Sequence, residues 1–211
     1  MLISIDLLKA RYMNKLGDGV LLVDKLAKSA SRLNQMIESV LEYSTVNYEP
    51  KKAEPVDLNE IMQNICEDLE FIIAEKKAHI SFPSLPIIEG SPVLLYQLFY
   101  NLVHNALKFS SNGVQPVIEI QPALLPKGVD EMVQIKVTDN GIGFTPEEAS
   151  KIFQSFIRLH PKDRYEGTGL GLALCQRIAE RHGGTIEAFG SPGKGAAFIV
   201  HLPKKQPDNI I

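Results

Sequence analysis

The chain has 211 residues, of which 45% are hydrophobic and 22% charged, and its formal net charge is −3. That balance excludes a disordered tail and a collagen-like chain, and it leaves no basic field with which to hold nucleic acid. Two cysteines, Cys66 and Cys175, are too few for a disulfide framework or a zinc site, and no apolar run approaches the roughly 20 residues of a membrane span.

From Val20 to Tyr48 there is neither glycine nor proline, and Leu22, Leu26, Ala30, Leu33, Ile37, Val40 and Leu41 recur at three- and four-residue steps. This is one apolar stripe on a long helix. Leu2 to Leu16 is a shorter helical stretch, and Gly17-Asp18-Gly19 breaks the two, so a helical hairpin is expected over 1–49. One stripe cannot bury itself, so the hairpin either docks on its own second domain or associates with a copy of itself. Pro50 to Pro55 reads as a polar linker. Asp57 and Glu60 then have capping-box spacing for a helix to about Lys77.

Ile80 to Phe82 and Ile87-Ile88 are short strand candidates. Ser91-Pro92 opens a helix to about Phe109. Val117 to Ile120 and Met132 to Thr138 alternate like half-buried strands. A helix is expected from Gly169 to His182, ended by Gly183-Gly184, and the strands Thr185 to Phe189 and Ala196 to Leu202 close the domain. The fold class expected is α+β: a two-layer α/β sandwich whose mixed, mainly antiparallel sheet carries helices on one face, preceded by the helical hairpin. The domains are 1–49, 50–205 and a tail at 206–211.

Three segments concentrate polar chemistry. In Asn101-Leu102-Val103-His104-Asn105-Ala106-Leu107-Lys108-Phe109, the residues Asn101, Asn105 and Lys108 share one helical face. Two amide oxygens and an ammonium suit a metal-bound polyphosphate, but a solvated polar face would look the same. Asp139-Asn140-Gly141-Ile142-Gly143-Phe144 follows a strand; Asp139 is either an acceptor for an exocyclic amine or part of an ordinary turn. Gly167-Thr168-Gly169-Leu170-Gly171-Leu172 opens a helix and could cradle phosphate on free N–H groups. It lacks a Walker ending, and its spacing and lead-in do not fit a dinucleotide fingerprint.

With Ile152-Phe153-Gln154-Ser155-Phe156 between the last two, these segments resemble the N, G1, F and G2 boxes of sensor histidine kinases in order and spacing. The likeness covers about residues 50–205, and residues 1–48 resemble the second half of that family's dimerisation and phosphotransfer hairpin. The resemblance implies ATP and Mg2+ as cofactors. Asn101 and Asn105 would hold the metal, Lys108 would contact phosphate and Phe109 would lie against the nucleotide. Asp139 would accept from the adenine amine, with Gly141, Gly143 and Phe144 around the base. Gly167, Thr168, Gly169, Leu170, Gly171 and Leu172 would wrap the triphosphate, with Arg158 reaching the γ-phosphate. Phe153 and Phe156 would anchor a mobile lid over about 155–166.

Position 101 separates branches of this fold. Hydrolysing members carry a glutamate there as a base for water, and Asn101 cannot take a proton. Transfer of the γ-phosphate to a histidine, and onward to an aspartate of a response-regulator receiver domain, is therefore the expected reaction. No histidine precedes His79, so the acceptor is expected outside this chain, as the missing front of a longer kinase, and the fragment is expected not to label itself. A homodimer through the N-terminal helices, a cytoplasmic location and no membrane contact by this portion complete the expectation; the full-length protein could reach a membrane through its front part. A nucleotide-binding module that regulates a partner without phosphotransfer, or an anti-sigma-type serine kinase, is the alternative.

Overall fold

The computed structural model describes residues 53–123, 132–159 and 167–206, together with Val23, Leu26, Ala27, Ser29, Ala30, Ile37, Val40 and Leu41, which are helical. The rest of the expected hairpin, the lid residues 160–166 and the C-terminal tail from 207 onward lie outside the described residues.

The elements are β1 (Glu54–Asp57), α1 (Leu58–Asp68), α2 (Glu70–Lys76), β2 (His79–Ser81), β3 (Ile87–Gly90), α3 (Pro92–Lys108), β4 (Val117–Ala123), β5 (Met132–Asp139), α4 (Pro146–Ala149), α5 (Gly171–Arg181), β6 (Thr185–Ser191) and β7 (Gly195–Pro203). Five strands form one mixed sheet in the order β2-β4-β5-β7-β6, in which only β2 and β4 run parallel. The expected sandwich is what forms. Strand alternation sends Ile135 and Val137 of β5, and Phe198, Val200 and Leu202 of β7, to one buried face, while Gln134, Lys136, Thr138 and His201 take the other.

On the buried face lie α1, α3 and α5. Helix α3 contributes Leu95, Leu98, Phe99, Leu102, Val103, Ala106 and Leu107 to the core. Each such fully buried leucine or phenylalanine is worth about 1.5–3 kcal/mol relative to exposure. That investment anchors α3, so the polar positions between the core residues are held at fixed places. Pro92 occupies its first turn, as expected. At its other end the Lys76 ammonium donates to the Leu107 carbonyl at 2.8 Å, one of those the helix leaves open, and to Ser110 Oγ at 3.0 Å.

Several local readings change. Glu54 to Asp57 is not linker but an edge strand, paired antiparallel with β3 so that Pro55 faces Glu89. An edge position tolerates the missing proline N–H. Asp57 caps α1 by accepting from Asn59 N at 2.8 Å, so the bond goes to the second helical residue instead of forming the expected box with Glu60. The expected single helix to Lys77 is two: the backbone leaves helical geometry at Leu69 (φ −100°, ψ 9°), which stays buried beneath α3. A real capping box occurs at α4, where Thr145 N donates to Glu148 Oε2 at 2.8 Å.

Candidate nucleotide site

The three polar segments meet around one cavity of about 570 Å³, between the cavity face of α3, the turn after β5 and the loop entering α5. Asn101, Asn105, Lys108, Phe109, Asp139, Gly143, Phe144, Arg158, Gly167, Thr168, Gly169, Gly171 and Leu172 all line it. Two expected residues do not. Leu170 is buried at 2% exposure, with its N–H 3.4 Å from Thr168 Oγ1, and Gly141 acts from behind the wall.

Asn101 is oriented by its own helix. Its Nδ2 donates to the Gln97 carbonyl at 2.9 Å, so the amide oxygen must point the other way, toward Gly171. Gly171 opens α5, and the N-terminal N–H groups of that helix face the same space. Lys108 places its ammonium 4.7 Å from the Phe109 ring centroid and close against Gly167. Arg158 donates from Nη1 to the Gly167 carbonyl at 2.8 Å, so in this state it ties down the glycine loop. An ammonium, a guanidinium at the rim and glycine backbone thus come together at this part of the cavity.

Asp139 ends β5 at the far side. Its Oδ1 accepts from Gly141 N at 2.8 Å and from Ala196 N at 3.3 Å. Both bonds go to Oδ1, and among the described residues Oδ2 takes no hydrogen bond. Burial pushes this carboxyl up from its ordinary value, and the two backbone N–H groups pull it partly back. Gly143 makes the adjoining turn with φ 62°, and a Cβ there would fall 2.1 Å from the Ser191 carbonyl oxygen. Phe144 is buried and packs tilted on Phe198, with Gly190 lying under its ring.

The two F-box phenylalanines do not act alike. Phe153 packs against the core, whereas Phe156 is 58% exposed and sits at φ 66° with its N–H bonded to the Gly169 carbonyl at 3.0 Å. Phe156 therefore anchors the glycine loop by backbone and leaves its ring outside. Residues to which the resemblance gives no role also line the wall: Ile152, Ala196 and Phe198 are apolar, and His104 is polar. Ala196 and Phe198 could have been found from the alternation of β7, whereas nothing in the F box by itself turned Ile152 toward the cavity. His104 is held below its ordinary value by burial first and by the neighbouring Lys108 and Lys76 charges.

Residues 90–206 match the family described as histidine kinase-, DNA gyrase B-, and HSP90-like ATPase. The chain belongs to that family. The relatives it resembles include sensor histidine kinases. Cyanobacterial phytochrome A of Nostoc sp. PCC 7120 is 35% identical over 94% of this chain and 26% of its own length. Sensor histidine kinase ZraS of Klebsiella oxytoca is 36% identical over 84% of this chain and 37% of its own. The chain thus spans about a quarter to a third of these curated relatives. Among solved structures, full-length ShkA in complex with AMPPNP superposes with TM-score 0.69 at 25% identity, covering 90% of this chain and 40% of that one. The kinase ThkA in complex with the response regulator TrrA gives 0.66 at 24% identity, over 87% of this chain and 50% of that one.

Proposed function

We propose that this chain binds Mg-ATP in the cavity and serves the transfer of its γ-phosphoryl group to a histidine on a helical hairpin, for relay to a response-regulator aspartate. The observation that carries the reading is Asn101: a side chain without basicity, at the site's one position where hydrolysing members need a base, with its amide oxygen aimed at the mouth of α5. A site built this way positions a phosphoryl group and meets its charge, which is most of what transfer to a protein nucleophile requires.

Magnesium takes oxygen ligands and keeps several waters. Among the described residues no group of three His, Cys, Asp or Glu side chains could hold a metal, so the ion would sit on the Asn101 and Asn105 amide oxygens with phosphate and water completing its shell. That set fits magnesium and not zinc. Bound there, the ion would neutralise phosphate charge. Asp139 Oδ2 would accept from the adenine amine, and Lys108 with the Gly167 to Gly171 backbone would hold the phosphate chain.

The hairpin reading extends to self-association. Leu26, Ile37, Val40 and Leu41 are helical and leave 44–63% of their surface exposed. Apolar side chains in that state call for a partner helix, and a second copy supplies one. Two free cysteines, Cys66 and Cys175, and an ATP substrate accord with a cytoplasmic location. Among the described residues no helix is long and apolar enough to cross a membrane.

The test is transphosphorylation. Labelled ATP and magnesium are given to the chain with a separately supplied helical hairpin bearing the acceptor histidine. Acid-labile, base-stable label on the hairpin is expected, with none on the chain alone. Release of free phosphate without labelled hairpin would overturn the reading, and acid-stable label would favour a serine kinase.

A further inference from the structure

Among the described polar residues of the cavity wall, His104 is the one to which the resemblance gives no role, and its surroundings are specific. On α3 the rings of Tyr96, Tyr100 and His104 follow one another at four-residue steps. Tyr96 and Tyr100 stack with centroids 5.8 Å apart and an interplanar angle of 26°; Tyr100 and His104 stack at 5.8 Å and 5°. The ladder is tied at its far end, where the Tyr96 hydroxyl donates to Asp68 at the end of α1. Its near end is the cavity, where the imidazole shares a wall with Asn101, Asn105 and Lys108.

Two features separate His104 from a bystander on a helix surface. Its ring plane is fixed, because a near-parallel stack on Tyr100 leaves the imidazole little freedom about its terminal torsion. Its nitrogens are also unused: among the described residues neither takes a hydrogen bond. His104 is half-buried and its nitrogens are not sealed from the cavity, so an imidazole held by its stack on Tyr100 can turn a nitrogen to a ligand without giving up a bond to protein. Position on the wall decides which part. His104 stands one residue before Asn105 and about one helical turn before Lys108, whose charge acts on it, hence beside the side chains proposed above to face phosphate, whereas Asp139 ends β5. In either protonation state an imidazole offers at least one N–H, and phosphate oxygens only accept.

We propose that His104 donates an imidazole N–H to the polyphosphate of the bound nucleotide and that Tyr100 is its positioning residue. The proposal rests on the nucleotide reading above and deepens it, since it makes the site discriminate triphosphate from nucleoside through a residue outside the four boxes' usual donors. Loss of a hydrogen bond to a charged acceptor corresponds to roughly ten-fold in affinity.

The full 211-residue chain is titrated by calorimetry with adenosine and with ATP plus magnesium, unaltered and as His104→Phe and Tyr100→Leu. His104→Phe keeps a ring on Tyr100 and removes the donor. It is expected to weaken ATP about ten-fold and to leave adenosine within about two-fold. Tyr100→Leu is expected to weaken ATP by a smaller factor, again sparing adenosine. Side-chain nitrogen spectra of the unaltered chain should show the His104 imidazole shifting with ATP and not with adenosine. Unchanged ATP affinity in His104→Phe, or equal losses for both ligands, would overturn the proposal; unchanged ATP affinity in Tyr100→Leu would overturn the positioning role. If the unaltered chain bound neither ligand, the nucleotide reading itself would fail, and that result is read before any variant.

Discussion

Gly171 and Asn101 face each other across the mouth of α5: a Cβ placed on Gly171 would stand 3.1 Å from Asn101 Oδ1. The oxygen cannot retreat freely, because the same amide is bonded through Nδ2 to the Gln97 carbonyl. Two segments 70 residues apart in sequence are thereby fitted to within one methyl group. Gly171→Ala should accordingly disturb the ligand face more than the fold. Overpacking of this kind costs about 1–3 kcal/mol; we expect it to appear mainly as weaker ATP binding, with a melting temperature nearly unchanged because alanine favours a helix. Calorimetry and thermal melting of the same sample separate the two. A large drop in melting temperature with ATP affinity retained would mean that Gly171 serves packing alone.

Gly143 is the opposite case. Its φ of 62° and a Cβ position 2.1 Å from the Ser191 carbonyl oxygen leave no room for any side chain. Backbone strain and steric conflict together place Gly143→Ala among the severe substitutions, at roughly 3–5 kcal/mol of lost stability. Urea denaturation reads this directly. A variant as stable as the unaltered chain would show that the turn after β5 is differently shaped.

Much of this arrangement was legible in sequence, and the part that was not has a common physical origin. The face of α3 with Asn101, Asn105 and Lys108 could be read because helical periodicity ties polar positions to a core stripe of the same helix. Asp139 could be placed at a strand end, but its second donor, Ala196 N, comes from β7 and no local pattern announces it. The same holds for Lys76 closing the end of α3 and for Tyr100 stacking on His104, where the contacts depend on how elements pack or on ring geometry. β1 was hidden by Pro55 and its charges, which an exposed edge strand tolerates and a central one does not. The outward ring of Phe156 could not be read either, because it follows from a positive φ that no local pattern announces.

His182 makes stability depend on pH. It is fully buried, its Nδ1 donates to the Ile178 carbonyl at 2.8 Å, and its Nε2 accepts from Ser91 N, the N-cap of α3, at 3.1 Å. Only the neutral ring can do both. Burial, first among the causes, lowers its pKa below the ordinary 6.5, and the Arg181 charge adds to this. The unfolded chain therefore binds more protons than the folded one once pH falls through about 6.5, and the linkage slope makes stability rise with pH there. His104 is shifted the same way and adds to the slope. We expect denaturant stability to fall between about pH 7 and about pH 5.5. In His182→Gln, whose amide can also donate and accept, the fall should be smaller. An identical pH slope in that variant would assign the effect to other groups.

A working adenine and phosphate site stands or falls with Asp139. ATP is titrated into the chain by calorimetry, with and without magnesium, beside Asp139→Asn. The variant replaces the oxygen left for the amine with an amide that cannot stay acceptor on both sides, while Gly141 N and Ala196 N keep a partner. Binding strengthened by magnesium in the unaltered chain, and weakened by about 2 kcal/mol, roughly thirty-fold, in the variant, is the predicted result. Equal ATP affinity in both proteins would contradict the account, because it would take Asp139, and the cavity it closes, out of nucleotide recognition.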